Sequence, residues 1–360
     1  MPAIFDDSRL DDQAVLASAD PSLRPLAEAG ARVRREADGA SEAIAAAMSS
    51  SDGARPRAVV AAGPDSRLLR AVLEPTCPVP FVAWPGPSLP GWAGALDLVV
   101  VLAPEGSDTG SASAVAEGVR RGCRVVVACP PGSLVAEHAT GRDTTVLPCA
   151  SGDQLATAVV MLQLLERLDL GPETNPESVA QALDDVAIAC SPYRDLAVNP
   201  AKTLAIALAD ANPLLWGGSV LAARAARRVA ESVRKSSGRT ALAGDAEHLL
   251  PVIDATPPAD LFADPFADRF AGDGGAEDGG DDGDGGDGDG GRPVLVVLDD
   301  GAQDPSIREQ LGRLTSAAEG RRLRVETVTA DAGTDVARYA ALLATGTYAA
   351  TYLGIGLGRG

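Results

Sequence analysis

Residues Ala95-Leu96-Asp97-Leu98-Val99-Val100-Val101-Leu102-Ala103 run directly into Pro104-Glu105-Gly106-Ser107-Asp108-Thr109-Gly110-Ser111. The apolar run, β-branched at its centre, reads as a parallel strand buried on both faces. The turn behind it is rich in glycine and hydroxyls and leads into a helix expected over 114–121. Backbone N–H groups and hydroxyls at a helix N-terminus form a ready anion site. This transition predicts a doubly wound α/β protein with a candidate phosphate loop. The hydroxyls of this turn, like Ser, Thr and Asp at any such place, also serve as simple helix caps.

The same unit repeats along the chain. Strands are expected at 58–62, 79–83, 124–128 and 144–148. The intervening helices include 67–73 and a long amphipathic one at 154–168. Before them, residues 1–55 read as a helical segment with breaks, with helices at 11–17, 27–36 and 41–48. The second half repeats the pattern more faintly. Helices are expected at 176–188 and 200–208, a strand at 213–216 ends in Gly217-Gly218-Ser219, and a helix at 220–233 follows at once. A strand at 293–298, a helix at 304–318, a strand at 323–328 and a helix at 335–345 complete it. Short strands alternating with helices imply parallel sheets covered on both faces, here in two lobes, 56–170 and 171–360.

Composition limits the function classes. The chain has 360 residues, is 46% hydrophobic but only 3% aromatic, and carries a formal net charge of −19. Its core must therefore be built from Ala, Val and Leu. The acidic balance excludes an electrostatic nucleic-acid binder, which needs Lys and Arg stripes. No apolar run reaches the ~20 residues of a membrane span, and the N-terminus lacks a basic–apolar signal pattern; a cytoplasmic location is expected. The five cysteines form no CxxC pair, which predicts reduced thiols and no metal site. Seven Asp and one Glu, with no Lys or Arg, fall between residues 271 and 291. That Gly/Asp tract offers no branched apolar residue and is expected to be a disordered insertion over 271–292. It lacks the interleaved apolar positions of a calcium-binding repeat.

Asn199-Pro200-Ala201-Lys202-Thr203-Leu204-Ala205, followed by Asn212-Pro213-Leu214-Leu215-Trp216-Gly217-Gly218, resembles the second-lobe signature of sugar isomerase (SIS) domain proteins. The closest resemblance is to bifunctional phosphoglucose/phosphomannose isomerases. The tail Thr345-Gly346-Thr347-Tyr348-Ala349-Ala350-Thr351-Tyr352-Leu353 resembles that family's C-terminal helix. The resemblance implies two tandem SIS lobes and a homodimer that shares its site between subunits. It implies a phosphorylated sugar as ligand, no metal, no cofactor, and isomerisation of glucose or mannose 6-phosphate to fructose 6-phosphate.

Carried over by position, the phosphate contacts would be Ser66, Ser107, Thr109 and Ser111, with Lys202 supporting the site. Glu231 would be the proton-moving base and His248 the ring-opening group. A direct count places the family's Glu nearer Arg234 or Lys235 than Glu231. The first loop reads Gly63-Pro64-Asp65-Ser66, with a proline and a carboxylate where the family has glycines. Glu105 and Asp108 in the second loop would each repel a nearby phosphate by ~1 kcal/mol or more. A non-catalytic phosphosugar-binding or scaffold protein of the same fold is therefore the competing expectation.

Overall fold

The computed structural model describes residues 4–51, 53–258 and 291–359. The Gly/Asp tract lies, up to residue 290, outside the described residues; Arg292 already opens a strand. After a 3-10 turn at Asp7–Leu10 come α1 (Gln13–Ser18), α2 (Asp20–Ala27) and α3 (Ala29–Ser50). The two helices expected near 27–36 and 41–48 are thus one helix of 22 residues. Gly39 has no atom within 4 Å of an added Cβ. An exposed helical glycine costs ~1 kcal/mol, and burial of Val33, Ala37, Ala40 and Ile44 along one face outweighs it.

The first sheet contains β1 (Val59–Ala62), β2 (Phe81–Trp84), β3 (Leu98–Leu102), β4 (Arg124–Cys129) and β5 (Thr144–Pro148). All pair in parallel, in the order β2-β1-β3-β4-β5. Helices α4 (Ser66–Leu73), α5 (Thr109–Arg120), α6 (Leu134–His138) and α7 (Gln154–Arg167) connect or follow them. The order reverses between β1 and β3. In open α/β sheets that reversal opens a crevice at the carboxyl ends of the strands. β3 is buried along its whole length.

Helices α8 (Pro176–Ala189) and α9 (Pro200–Leu208) lead to the second sheet. Its strands are β6 (Ala211–Gly217), β7 (Leu242–Ala243), β8 (Arg292–Asp299) and β9 (Arg324–Thr329), and its helices are α10 (Val220–Ser237), α11 (Ala246–Ala255), α12 (Pro305–Gly320) and α13 (Asp335–Gly356). The strands are again parallel, in the order β7-β6-β8-β9. Gly217 is required at the β6–α10 junction, because an added Cβ would fall 2.2 Å from the backbone carbon of Ala222.

Strand alternation sorts the side chains. Val60, Ala62, Val99, Val101, Val125 and Val127 face α5 and α6 in an outer cluster. Leu214, Trp216, Leu295 and Val297 form another with α11 and α12. The opposite faces of both sheets, with α3, α7, α8, α9, α10 and α13 between them, share one continuous core. The two lobes therefore have no polar boundary along this face. The N-terminal segment clasps the end of α13: the Asp6 N–H donates to Gly356 O at 3.0 Å and Arg9 Nε to Ile355 O at 2.8 Å.

Candidate ligand site between the lobes

A cavity of about 610 Å³ opens at the carboxyl ends of β1, β3 and β5. Its first-lobe wall is Pro64 and Asp65 after β1, Ala103 to Gly106 and Asp108 after β3, and Gly152 to Gln154 after β5. Arg228 of α10 and Tyr339, Ala340, Leu343 and Thr347 of α13 close it from the second lobe. This is the crevice that the strand order requires.

The helix beyond β3 starts at Thr109, five residues earlier than expected. The reason is Asp108, whose side chain accepts from the Ser111 N–H at 2.6 Å. The capping carboxylate thus occupies a position a bound anion would take. Thr109 and Ser111 lie in the first helical turn, and Ser107 and Thr109 are exposed. Ser111 lines the cavity; it is fully buried, and its Oγ finds no hydrogen-bond partner among the described residues. Ser66 Oγ is likewise buried and unpartnered, at the start of α4.

Asp153 repeats the capping device at α7, accepting from Leu155 N at 2.9 Å and Ala156 N at 3.0 Å. It is also bound by Arg32, through Nε at 2.9 Å and Nη2 at 2.7 Å. The loop before it is held by the buried Glu36, which accepts from the Ser151 N–H at 2.5 Å. Asp65 accepts from the Gln154 side-chain amide across the mouth. Burial pushes the Asp65 carboxyl above its ordinary value; Gln154, Arg228 and Arg224 oppose the rise, and Asp108 adds to it.

The remaining expected site residues lie elsewhere. Glu231 is bonded by Arg228 at 2.7 Å and Lys235 at 2.9 Å. The Lys235 contact, with Arg228, holds its carboxyl below the usual range. His248 borders a different cavity of about 410 Å³ in the second lobe, with Gly218, Ser219, Arg227 and Arg313. Its side chain is 79% exposed, 4.0 Å from Asp245. Among the described residues, no hydrogen bond or ion pair joins Glu231 to His248, and neither cavity is lined by both.

Lys202 is fully buried in α9. Its Nζ donates to Asp11 Oδ1 at 2.6 Å and to the carbonyls of Pro192 and Arg194, each at 3.0 Å. It also sits 5.7 Å from the centroid of the Tyr352 ring. All three ammonium protons thus have acceptors in the clasp region. Arg224, Arg228 and Tyr339 were not singled out in the sequence. The available signal was the i, i+4 spacing of the two arginines on a strongly amphipathic helix.

The fold is that of two SIS-like α/β lobes. Residues 197–359 match the model of the bacterial phospho-glucose isomerase C-terminal SIS domain, so the second lobe is an SIS domain of that type. The structure is similar to tagatose-6-phosphate ketose/aldose isomerase from Escherichia coli, with a TM-score of 0.63 and 12% identity over 95% of this chain and 94% of that one. It is also similar to the C-terminal domain of glucosamine-fructose-6-phosphate aminotransferase from Francisella tularensis, at TM-score 0.56 and 12% identity over 91% and 95% of the two chains. Among curated proteins none matches the sequence. Within the described residues no helix is long and apolar enough to cross a membrane, and no group of three metal-binding side chains occurs.

Proposed function

We propose that this protein binds a phosphorylated sugar in the cavity between its lobes and has a sugar-phosphate isomerase-like role. The observation that carries this reading is the cavity's position, at the strand-order reversal of a parallel sheet in an SIS-type chain. A hexose phosphate of the glucose, mannose or fructose 6-phosphate type is the ligand we assign, bound by a cytoplasmic homodimer. Thermal denaturation with each 6-phosphate tests it. A midpoint rise that saturates with concentration is expected; no shift with any of them would remove the reading.

A second reading, catalysis of aldose–ketose isomerisation, is favoured by Asp65. Moving a proton between C1 and C2 needs a base with a pKa near working pH. Lys235 and Arg228 make Glu231 a weaker base, whereas burial makes Asp65 a stronger one and places it on the cavity. In a coupled assay Asp65→Asn is expected to lose turnover by about 100-fold or more, and Glu231→Gln to keep most of it. Loss with Glu231→Gln and retention with Asp65→Asn would reverse the assignment. Absence of turnover in the unaltered protein, with binding retained, would leave the binding role alone. Sedimentation of the full chain tests the homodimer.

A further inference from the structure

The cavity's strand-end loops are acidic, with Arg32 beside them held by Asp153, and its second-lobe wall carries Arg228. The first-lobe wall presents Asp65, Glu105 and Asp108, and Asp108 already caps the helix N-terminus that a phosphate would approach. On the second-lobe side Arg228 lines the cavity, while Arg224, one turn earlier on α10, stands behind the lining residue Tyr339 with Arg67 of α4 near it. Arg228 lines the cavity and has one carboxylate partner, Glu231, at 2.7 Å. Arg224 lies against the buried hydroxyl of Tyr339, another lining residue. Among the described residues Arg224 forms no ion pair, and its Nε is a buried donor without an acceptor. Burial weakens its hold on its proton, and Arg228 and Arg67 nearby add to this against the opposing pull of Tyr339. Like charges gathered around an orphaned donor are costly unless an anion joins them.

We propose that Arg224 and Arg228 on α10 form the grip for the ligand's phosphate, in place of the hydroxyl loops after β1 and β3. The inference rests on the phosphosugar reading and assigns a polarity within that site. The phosphate turns toward α10, and the sugar hydroxyls turn toward Asp65 and Gln154. Two guanidinium groups supply charge-assisted hydrogen bonds to phosphate oxygens. Glu231 then acts as a charge partner that moderates Arg228, not as a group that touches the sugar.

The test is calorimetric titration of the full chain with glucose, mannose and fructose 6-phosphates and with the unphosphorylated sugars, at low ionic strength. Arg228→Gln and Arg224→Gln are each expected to weaken the tightest 6-phosphate by about tenfold or more, toward the affinity of its neutral sugar. Glu231→Gln, which releases Arg228, is expected to tighten it. The double variant Ser107→Ala, Thr109→Ala is expected to change it less than about threefold. Melting without ligand checks that each variant folds, and half-buried Arg228 with Glu231 serves if the Arg224 variant does not. Arginine variants that bind like the parent, or loss confined to the hydroxyl variant, would overturn the grip and leave the phosphosugar reading standing. A parent protein that prefers none of the 6-phosphates to its neutral sugar would remove both.

Discussion

Asp65 and Lys202 show how one charged side chain is placed by its surroundings. Burial raises the Asp65 pKa, so folding favours its protonated form relative to the unfolded chain. Its stabilising contribution is complete below the ordinary value of 3.8 and is lost as pH rises through the raised one. Asp65→Asn is therefore expected to raise the melting midpoint at neutral pH and to leave it unchanged below about pH 3.8. A lower midpoint at neutral pH would show that its ionised form is stabilised instead. Lys202 tests the opposite case. Lys202→Met would leave Asp11 and two carbonyls without their donor, at a cost of about 2–4 kcal/mol. Asp11→Asn, at a half-exposed partner, should cost only about 1 kcal/mol. Equal costs in urea titrations would place the clasp's strength in the ion pair rather than in the carbonyl contacts.

At the scale of elements, helix starts and crossings decide the geometry. The run from Leu98 to Leu102 was legible as a buried strand because both sheet faces are covered and no polar alternation intrudes. Whether the turn behind it was a cap or an anion site could not be read from the residues, since both use the same donors; the Asp108 contact to Ser111 adds a cap that the spacing alone did not specify. Asp108→Ala should cost about 1 kcal/mol through loss of that cap, and a loss below about 0.3 kcal/mol would mean the cap carries no weight. The crossing of α10 and α13 is closer than sequence could show. A Cβ on Gly346 would lie 2.3 Å from Val229 Cγ2 and 3.0 Å from its Cβ. The stiff β-branched side chain cannot step aside. Gly346→Ala should thus destabilise by about 1–2 kcal/mol despite the better helix propensity of alanine. A gain in stability would show that the two helices can separate at no cost.

For the whole molecule, tandem α/β lobes followed from the order of the apolar runs, but the way they join did not. Periodicity within α3 or α13 says which face is apolar, not which neighbour covers it. The same limit hid the cavity: Asp65, Gln154, Arg228 and Tyr339 come from four separate elements and meet only after both lobes have packed. Nor does a linear register show that Glu231 and His248 share no cavity lining. Because one core spans both sheets, urea unfolding is expected to be a single transition. Trp92 reports on the first lobe and Trp216 on the second; single-tryptophan variants should give coincident curves. Curves separated along the denaturant axis would show two independently stable lobes.

The clasp of Asp6 and Arg9 on the last turn of α13 has a consequence during synthesis. The inner face of the first sheet and the apolar side of α3 belong to a core completed by α8, α10 and α13. A ribosome makes these covering helices long after α3. At about 5–20 residues per second, the interval from α3 to the end of α13 is on the order of 15–60 s. For that time the nascent chain shows water an apolar surface that the finished protein hides. Its yield in the cell should therefore depend on how well ribosome-associated chaperones shield unfinished chains.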